Sequence, residues 1–287
     1  MNKRSVSVVI PAKNEAQGLA QILPALRKLQ PGAKIVVVDD GSTDDTAAVC
    51  QQHHVQLVSH PYSMGNGAAV KSGARTASGE ILLFMDADGQ HDPTDIPQLL
   101  AKLDQGFQMV VGARDSRTHA NVGRWGANAL YNRLASWMVN QKIDDLTSGF
   151  RAVRADKFRE FLYMLPNGFS YPTTITMSFF RAGYPVGYVP IHAKAREGKS
   201  HIRPLRDGVR FLIIIFRVGT LYAPLKLFLP ISGFFFVLGL SYYIFTYVTQ
   251  SRFTNMSALL LTTSVLVFLI GLVSEQITNL LFSRRSE

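Results

Sequence analysis

An uninterrupted apolar run followed at once by acidic residues constrains this chain more than any other stretch of it. Residues 81–85 are all apolar, and Asp86 and Asp88 follow them, one residue apart. A short apolar run bounded by turn residues is typical of a strand buried on both faces of a sheet. Ligands of open α/β sheets bind beyond the carboxyl ends of such strands. The stretch therefore predicts a buried strand that delivers two carboxylates to a ligand site.

The residues after this strand have the chemistry of a metal site. Asp86, Asp88 and Gln90 offer oxygen ligands of the kind that Mg²⁺ or Mn²⁺ prefers. Such a cation commonly keeps bound water and bridges to the phosphates of a substrate. The alternative is a solvated turn stabilised by its own Asp side chains. Two acids one residue apart do not decide between these interpretations. The surrounding motifs in the chain are needed to choose between them.

The same pattern recurs along the first 114 residues. The run at 6–11 is rich in β-branched residues, and the run at 34–40 ends in Asp39 and Asp40. Apolar runs alternate with helical patterns up to residue 114, which predicts βαβ units. We therefore expect an α/β fold with a Rossmann-like, mostly parallel sheet and helices on both faces.

Two helix starts in this region carry residues of interest. Asn14 is placed to cap a helix over residues 15–29. Gly65 and Gly67 open a second helix that contains Lys71. Free backbone N–H groups at the start of a helix favour a phosphate, although glycines at such a position can equally make only a tight turn.

Polar side chains also follow the strand predicted at 109–114. An amphipathic helix is expected over residues 125–141, with Arg124, Asn128 and Arg133 available for an anion. The alternative for each of these residues is a solvated basic edge of the helix.

Charge and apolar residues are concentrated near the C-terminus. The chain has a formal net charge of +10, which indicates an anionic partner. Seven basic residues against two acidic ones fall within residues 194–217, next to a strongly apolar tail. We expect anionic membrane lipids as that partner and no nucleic acid, because no nucleic-acid-binding motif is present. The single cysteine, Cys50, excludes an internal disulfide and is interpreted as a small buried hydrophobe.

The tail predicts a membrane anchor. We divide the chain into a domain at 1–204, an amphipathic interfacial helix at 205–223 and an anchor at 224–287 with spans over about 225–248 and 256–282. Because the larger basic cluster precedes the first span, the N-terminal domain and both termini are expected in the cytoplasm. Glu275, within the second span, is a functional candidate by default, unless it reaches the interface.

Five motifs in this order resemble a known family. They lie at 9–15, 38–46, 65–67, 86–90 and 147–151. The chain resembles family 2 glycosyltransferases of GT-A fold, and within them the dolichyl- and polyprenyl-phosphate sugar synthases. The resemblance covers residues 5–204, and the apolar tail suits the membrane-anchored members of the family.

The resemblance implies a role for individual residues. Those expected to hold a nucleotide sugar are Pro11, Asn14, Glu15, Asp39, Asp40, Gly67, Lys71, Asp86 and Arg196. Those expected to hold Mg²⁺ or Mn²⁺ at the diphosphate are Asp86, Asp88 and Gln90. Those expected to bind the phosphate of a lipid acceptor are Arg114, Arg124, Asn128, Arg133, Lys199 and Ser200.

The implied reaction is attack by a phosphate oxygen of the lipid on the anomeric carbon, with inversion. Asp88, through the metal ion that it binds, and Arg196 would stabilise the charge on the leaving diphosphate. Arg196 and Lys199 lie on a basic loop that is interpreted either as a lid or as a charge run beside the membrane. A phosphate acceptor is largely anionic at pH 7, so a strong base is unnecessary, and Asp145 is the candidate for a helping carboxylate.

Two departures from the family pattern leave the substrate open. Residues 169–174 contain no carboxylate where relatives often carry Glu, so the sugar is undetermined, as is the choice between UDP and GDP as its carrier. The chain also lacks the Gln-x-x-Arg-Trp motif of processive synthases, which favours transfer of a single sugar. The alternatives are transfer to a lipid or glycan hydroxyl, which would need a base, and a non-catalytic module that binds nucleotide sugars. A homo-oligomer is possible.

Overall fold

The structure is a computed structural model that describes residues 4–114, 122–168, 170–191 and 216–283. Among these residues the chain separates into two compact units. The first contains the sheet. The second contains residues 137–140 and the C-terminal helices.

The described part of the first unit contains one seven-stranded sheet. Its strands are β1 (Val6–Ala12), β2 (Lys34–Asp39), β3 (Gln56–Ser59), β4 (Ile81–Phe84), β5 (Met109–Arg114), β6 (Arg151–Arg154) and β7 (Val186–Ile191). The helices between and after them are α1 (Ala16–Leu29), α2 (Thr46–Gln52), α3 (Asn66–Thr76), α4 (Ile96–Leu103), α5 (Val122–Val139), α6 (Ala155–Arg159) and α7 (Tyr171–Arg181).

The strand order is β3-β2-β1-β4-β6-β5-β7. All neighbouring pairs are parallel except those that β6 makes with β4 and β5, which are antiparallel. The predicted α/β class and mostly parallel sheet are confirmed. The order reverses at β1, which has β2 on one side and β4 on the other, so a crevice opens beyond the carboxyl ends of these strands.

Alternate residues of β1 face opposite layers of helices. Val8 and Ile10 belong to one apolar cluster with Leu19 and Leu23 of α1. Val9 faces the other layer, where a Cβ at Gly73 of α3 would come within 2.3 Å of its side chain. Because strand side chains alternate between faces, a strand covered on both sides must be apolar throughout, as the apolar runs predicted.

The start of α1 differs from the prediction. Asn14 has a positive φ of 55°, and its side-chain oxygen accepts a hydrogen bond from the Thr43 N–H at 2.8 Å instead of capping the helix. The first N–H of α1, on Ala16, donates to Asp44 Oδ2 at 3.1 Å. Asp44 Oδ1 also accepts from the Thr46 N–H at 3.1 Å, so one carboxylate serves the starts of α1 and α2. The cap therefore comes from a residue distant in sequence.

In the second unit, a helical stretch at 216–222 precedes α8 (Pro224–Gln250) and α9 (Asn255–Ser283). These two helices are long and apolar enough to cross a membrane. The hydroxyls of Ser232 and Ser264 each donate to the backbone carbonyl of the other, at 2.9 and 3.0 Å. A Cβ at Gly239 would meet Leu260 at 3.0 Å. The two helices therefore form a closely packed antiparallel hairpin.

Glu275 of α9 lies beside the beginning of α8. Its Oε2 accepts a hydrogen bond from the Leu225 N–H at 3.3 Å, in the first turn of α8. A carboxylate is favourable at that end of a helix. The predicted interfacial helix at 205–223 falls mostly outside the described residues, and the division of the chain at 204 and 223 stays a prediction.

Replacing Asp44 by Ala should destabilise the protein, because the starts of two helices lose a hydrogen-bond acceptor. We expect the free energy of unfolding to fall by about 2 kcal/mol, at the upper end for the loss of a helix cap. Thermal unfolding of the full chain in detergent measures the change. The matched control is Asp45→Ala, because Asp45 caps neither helix through its side chain. Equal losses for the two variants would contradict the shared cap.

Candidate active site

A cavity of about 510 Å³ lies at the carboxyl ends of β1, β2 and β4, where the strand order reverses. Its walls come from the ends of these strands, the start of α3, the turn before β6 and the first turn of α7. The lining residues are Pro11, Ala12, Lys13, Glu15, Asp40, Ser63, Gly65, Asn66, Ala69, Asp86, Ala87, Asp88, Thr147, Gly149, Gly168, Tyr171 and Pro172.

Asp86 follows β4 and lines this cavity, with 36% of its side chain exposed. The Gly149 backbone abuts its carboxylate, because a Cβ at Gly149 would come within 2.6 Å of Asp86 Oδ2. Burial raises the pKa of Asp86; His91 opposes the rise and Asp88 adds to it. Asp88 Oδ1 accepts from the Gln90 N–H at 3.1 Å, which closes the turn after β4.

The charges of the cavity suit a divalent cation. Among the described lining residues, four carboxylates (Glu15, Asp40, Asp86 and Asp88) face a single cation, Lys13. The described residues contain no group of three His, Cys, Asp or Glu around one point. The donor set that fits is therefore the Asp86 and Asp88 pair, which would leave the other positions of a hard cation to water and phosphate. Gln90 is absent from the lining, so its predicted role as a ligand stays a prediction.

Asp40 anchors the loop at residues 60–65, which forms part of the cavity wall. Its Oδ1 lies 2.7 Å from His60 Nδ1 and accepts from the Met64 N–H at 2.8 Å. Its Oδ2 accepts from the Ser63 hydroxyl at 2.8 Å and the Gly65 N–H at 2.9 Å. Burial would raise the pKa of Asp40, but these four hydrogen bonds lower it overall. The carboxylate therefore stays ionised and holds residues 60–65 in place.

Asp39, the neighbouring acid, turns away from the cavity. It is buried, and its Oδ1 accepts from the Ser42 N–H at 2.9 Å within the turn after β2. The sequence places both acids at the end of one strand. Of these two acids, Asp40 lines the cavity and Asp39 does not.

The start of α3 packs against the segment 165–168. A Cβ at Gly67 would come within 2.0 Å of the Pro166 carbonyl oxygen. Lys71, one turn further, donates to the Leu165 carbonyl at 3.1 Å and to Asn167 Oδ1 at 2.5 Å. Gly67 and Lys71 therefore lie behind the wall, where they hold the segment that carries Gly168 to the cavity.

Asp145 and Arg114 form a partly buried ion pair next to the cavity. Arg114 Nε and Nη2 donate to the two oxygens of Asp145 at 2.8 and 3.0 Å. The N–H groups of Thr147 and Ser148 donate to the same carboxylate. Burial would raise the pKa of Asp145, but Arg114 and the Thr147 N–H lower it overall. A carboxylate with these partners is a weak base, and the role of Asp145 as a helping carboxylate stays a prediction.

The predicted site residues thus fall into three groups. Those that line the cavity are Pro11, Glu15, Asp40, Asp86 and Asp88. Those that lie outside its lining are Asn14, Asp39, Gly67, Lys71, Gln90, Arg114, Arg133 and Asp145. Arg124 and Asn128 lie on α5 where side chains are not described, and Arg196, Lys199 and Ser200 lie outside the described residues.

Sequence reasoning missed one part of the cavity wall. Thr147, Tyr171 and Pro172 line it, although no role was predicted for any of them. The motif at 147–151 was the available signal for Thr147. Tyr171 and Pro172 belong to α7, which begins 17 positions after β6 ends at Arg154. Only the tertiary fold brings them to the cavity.

Comparisons with known proteins agree with this fold. The sequence profile of glycosyl transferase family 2 matches residues 7–162, and that of the GtrB C-terminal hairpin matches residues 223–280. The chain is similar to an uncharacterized glycosyltransferase of Mycobacterium tuberculosis, with 42% identity over 38% of this chain. That match covers 49% of the relative, so the chain spans about half the length of this relative.

Two further comparisons cover more of the chain. An undecaprenyl-phosphate 4-deoxy-4-formamido-L-arabinose transferase of Pseudomonas savastanoi is 30% identical over 80% of this chain and 69% of its own length. Glucosyl-3-phosphoglycerate synthase of M. tuberculosis, solved with Mn²⁺, UDP and glucosyl-3-phosphoglycerate, has a TM-score of 0.60 at 24% identity. That match covers 75% of this chain and 78% of the other, and it supports the fold alone.

The family profile covers more than half of the chain, from β1 through α6, and therefore includes both strands whose ends carry Asp40 and Asp86. The predicted class of enzyme, a glycosyltransferase, is confirmed at the level of the family. The chain belongs to glycosyl transferase family 2.

Proposed function

We propose that this chain transfers one sugar from a UDP- or GDP-linked donor to a polyprenyl phosphate such as undecaprenyl or dolichyl phosphate, with inversion at the anomeric carbon. The observation that carries the proposal is the pair Asp86 and Asp88 in a cavity at the switch point of a family 2 fold. The hairpin that matches the GtrB profile supports a membrane location, which would suit a lipid acceptor. The Pseudomonas relative is named for a transfer of this kind.

The donor would lie along the carboxyl ends of the strands. Pro11, Glu15 and the loop held by Asp40 would contact the base and ribose, with Asp39 supporting the turn behind them. The diphosphate would then reach Asp86 and Asp88. A divalent cation held by these carboxylates would offset their charge and that of the leaving diphosphate.

The state of Asp145 supports a phosphate acceptor. A hydroxyl acceptor must lose a proton and would need a base in the site. The second pKa of a phosphate monoester is about 6, so this nucleophile is already largely anionic at pH 7. Asp145, paired with Arg114, would then serve the transfer by holding the turn that carries Thr147.

Basic and neutral polar residues would hold the acceptor phosphate and complete the donor site. Arg133, exposed on α5, is one candidate. The others, Arg114, Arg124, Asn128, Arg196, Lys199 and Ser200, keep the roles that the sequence predicted for them. Of these, Arg114 already has Asp145 and Thr147 as partners, so a phosphate would have to compete with them.

The hairpin α8 and α9 would place this reaction at the cytoplasmic leaflet. Both helices are long enough to span a bilayer. The excess of Lys and Arg before the first span would keep the N-terminal domain and both termini on the cytoplasmic side.

The transfer can be tested on the purified full chain in detergent with Mn²⁺, undecaprenyl phosphate and a panel of radiolabelled UDP- and GDP-sugars. We expect label in the organic phase from one donor, lost with EDTA and in Asp88→Asn, which removes a cavity carboxylate. Asp92→Asn is the matched control, because Asp92 belongs to the same turn but caps the Thr94 N–H at 2.9 Å outside the cavity lining. Donor binding without labelled lipid from any sugar would contradict the proposal and favour another acceptor or a binding module.

The Asp145 ion pair predicts how stability depends on pH. The pKa of Asp145 is lower in the folded chain than its value of about 3.9 in an unfolded chain. Its stabilising contribution is therefore present above about pH 4 and lost as the pH falls towards the folded pKa. Asp145→Asn should cost about 3 kcal/mol of unfolding free energy at pH 7, since Arg114 loses its partner, and should flatten the loss of thermal stability below pH 4.

The control for this variant is Asp144→Asn, which breaks only an exposed ion pair with Lys142 and should change stability by less than about 1 kcal/mol. Transfer to undecaprenyl phosphate by Asp145→Asn should be reduced but measurable. Complete loss of turnover in a folded Asp145→Asn protein would instead identify a base and favour a hydroxyl acceptor.

A further inference from the structure

Arg151, the first residue of β6, is completely buried. It pairs with Phe84 at the end of β4 on one side and with Val111 of β5 on the other. A buried cation is costly unless it is paired. None of the described carboxylates hydrogen-bonds to this guanidinium, so its partners have to explain its presence.

The hydrogen-bond partners of Arg151 are neutral oxygens in the turn before β6 and in α7, with the Met109 sulfur 3.8 Å from Nη1. Nη2 donates to the carbonyl oxygen of Ser148, in the turn before β6. Nη1 donates to the Pro172 carbonyl at 3.2 Å and to Thr176 Oγ1 at 3.1 Å, both in α7. One planar side chain therefore joins the turn at 147–149 to the first two turns of α7.

Both joined segments reach the cavity directly. Gly149, next to Ser148, lies against the Asp86 carboxylate, and Pro172 lines the cavity itself. Tyr171 reinforces the link, because its hydroxyl lies 3.4 Å from the Gly149 carbonyl oxygen and its ring is 5.8 Å from the Arg151 guanidinium. A shift of Arg151 would therefore move the surface on which Asp86 rests.

We propose that Arg151 is a positioning residue of the donor site, whose forked guanidinium fixes the turn at 148–149 against Asp86 and joins it to the start of α7. The fork matters because a Lys ammonium has the charge but cannot hold two separated carbonyls in one plane. This inference rests on the proposed use of the cavity for a nucleotide diphosphate and a divalent cation.

The test compares Arg151→Lys, which keeps the charge, with Arg151→Met, which keeps much of the volume and removes the charge. Mn²⁺ binding is followed by EPR on the full chain in detergent, alone and with UDP or GDP, and thermal unfolding is recorded in parallel. We expect both variants to bind Mn²⁺ with nucleotide at least tenfold more weakly than the wild type. The expected weakening in Arg151→Lys separates fork geometry from charge.

Arg159→Lys is the matched control for losing an arginine fork. Arg159 also holds two backbone carbonyls, of Ala74 and Ala77, but neither belongs to the cavity lining. We expect this variant to bind Mn²⁺ and nucleotide as the wild type does, even if its unfolding temperature falls. Equal weakening in Arg159→Lys and Arg151→Lys would show a general loss of stability and overturn the proposal.

The proposal would also be overturned if either folded Arg151 variant bound Mn²⁺ and nucleotide as tightly as the wild type. Tighter Mn²⁺ binding by Arg151→Met would do so as well, since the guanidinium would then act only as a competing charge. If the Arg151 variants do not fold, Thr176→Val decides, because it removes one acceptor of Nη1 while the Pro172 carbonyl remains. We expect Thr176→Val to weaken binding about threefold; unchanged binding would overturn the proposal.

The result is separable from that of the transfer assay. Binding that depends on Arg151, in a protein that transfers no sugar to polyprenyl phosphate, would contradict the proposed acceptor and leave the positioning role supported. A wild-type chain that binds neither Mn²⁺ nor nucleotide would overturn both.

Discussion

The close approach of the Gly149 backbone to Asp86 is the contact on which the rest of the candidate site depends. A single added carbon at Gly149 would overlap the carboxylate, at 2.6 Å. The turn before β6 therefore sets where the acid at the end of β4 can lie. That turn is held in its own place by Asp145 from one side and by Arg151 from the other. The position of one cavity carboxylate is thus fixed by contacts spread over two strands and a helix.

Antiparallel β6 makes this arrangement possible. A parallel strand beside β4 would end at the same edge of the sheet as β4 does. Because β6 runs the other way, its first residue, Arg151, pairs with Phe84 at the edge where Asp86 follows. The chain thus enters β6 from the cavity side, and the turn at 147–149 comes to lie beside the acids. The inserted strand is a functional element of the sheet as well as a structural one.

Local patterns predicted the fold class and the acids that line the cavity, because a buried strand and the carboxylates after it are consecutive in the sequence. Asp86, Asp88 and Asp40 were found in this way. Contacts between residues distant in sequence could not be read from such patterns. Asp44 caps α1 across 28 residues, and Asp145 meets Arg114 across 31. The direction of β6 could not be predicted locally either, because four residues carry no signal that distinguishes parallel from antiparallel pairing.

The charge of the described cavity shows what a ligand would still require there. Its lining has four carboxylates and one lysine, so a diphosphate would enter a site that already has an excess of negative charge. Two arginines beside it that the structure describes, Arg114 and Arg151, are both engaged with protein oxygens. Cations must therefore be added from elsewhere for a nucleotide sugar to bind, and a divalent ion at Asp86 and Asp88 together with the basic residues predicted at 196 and 199 would supply them.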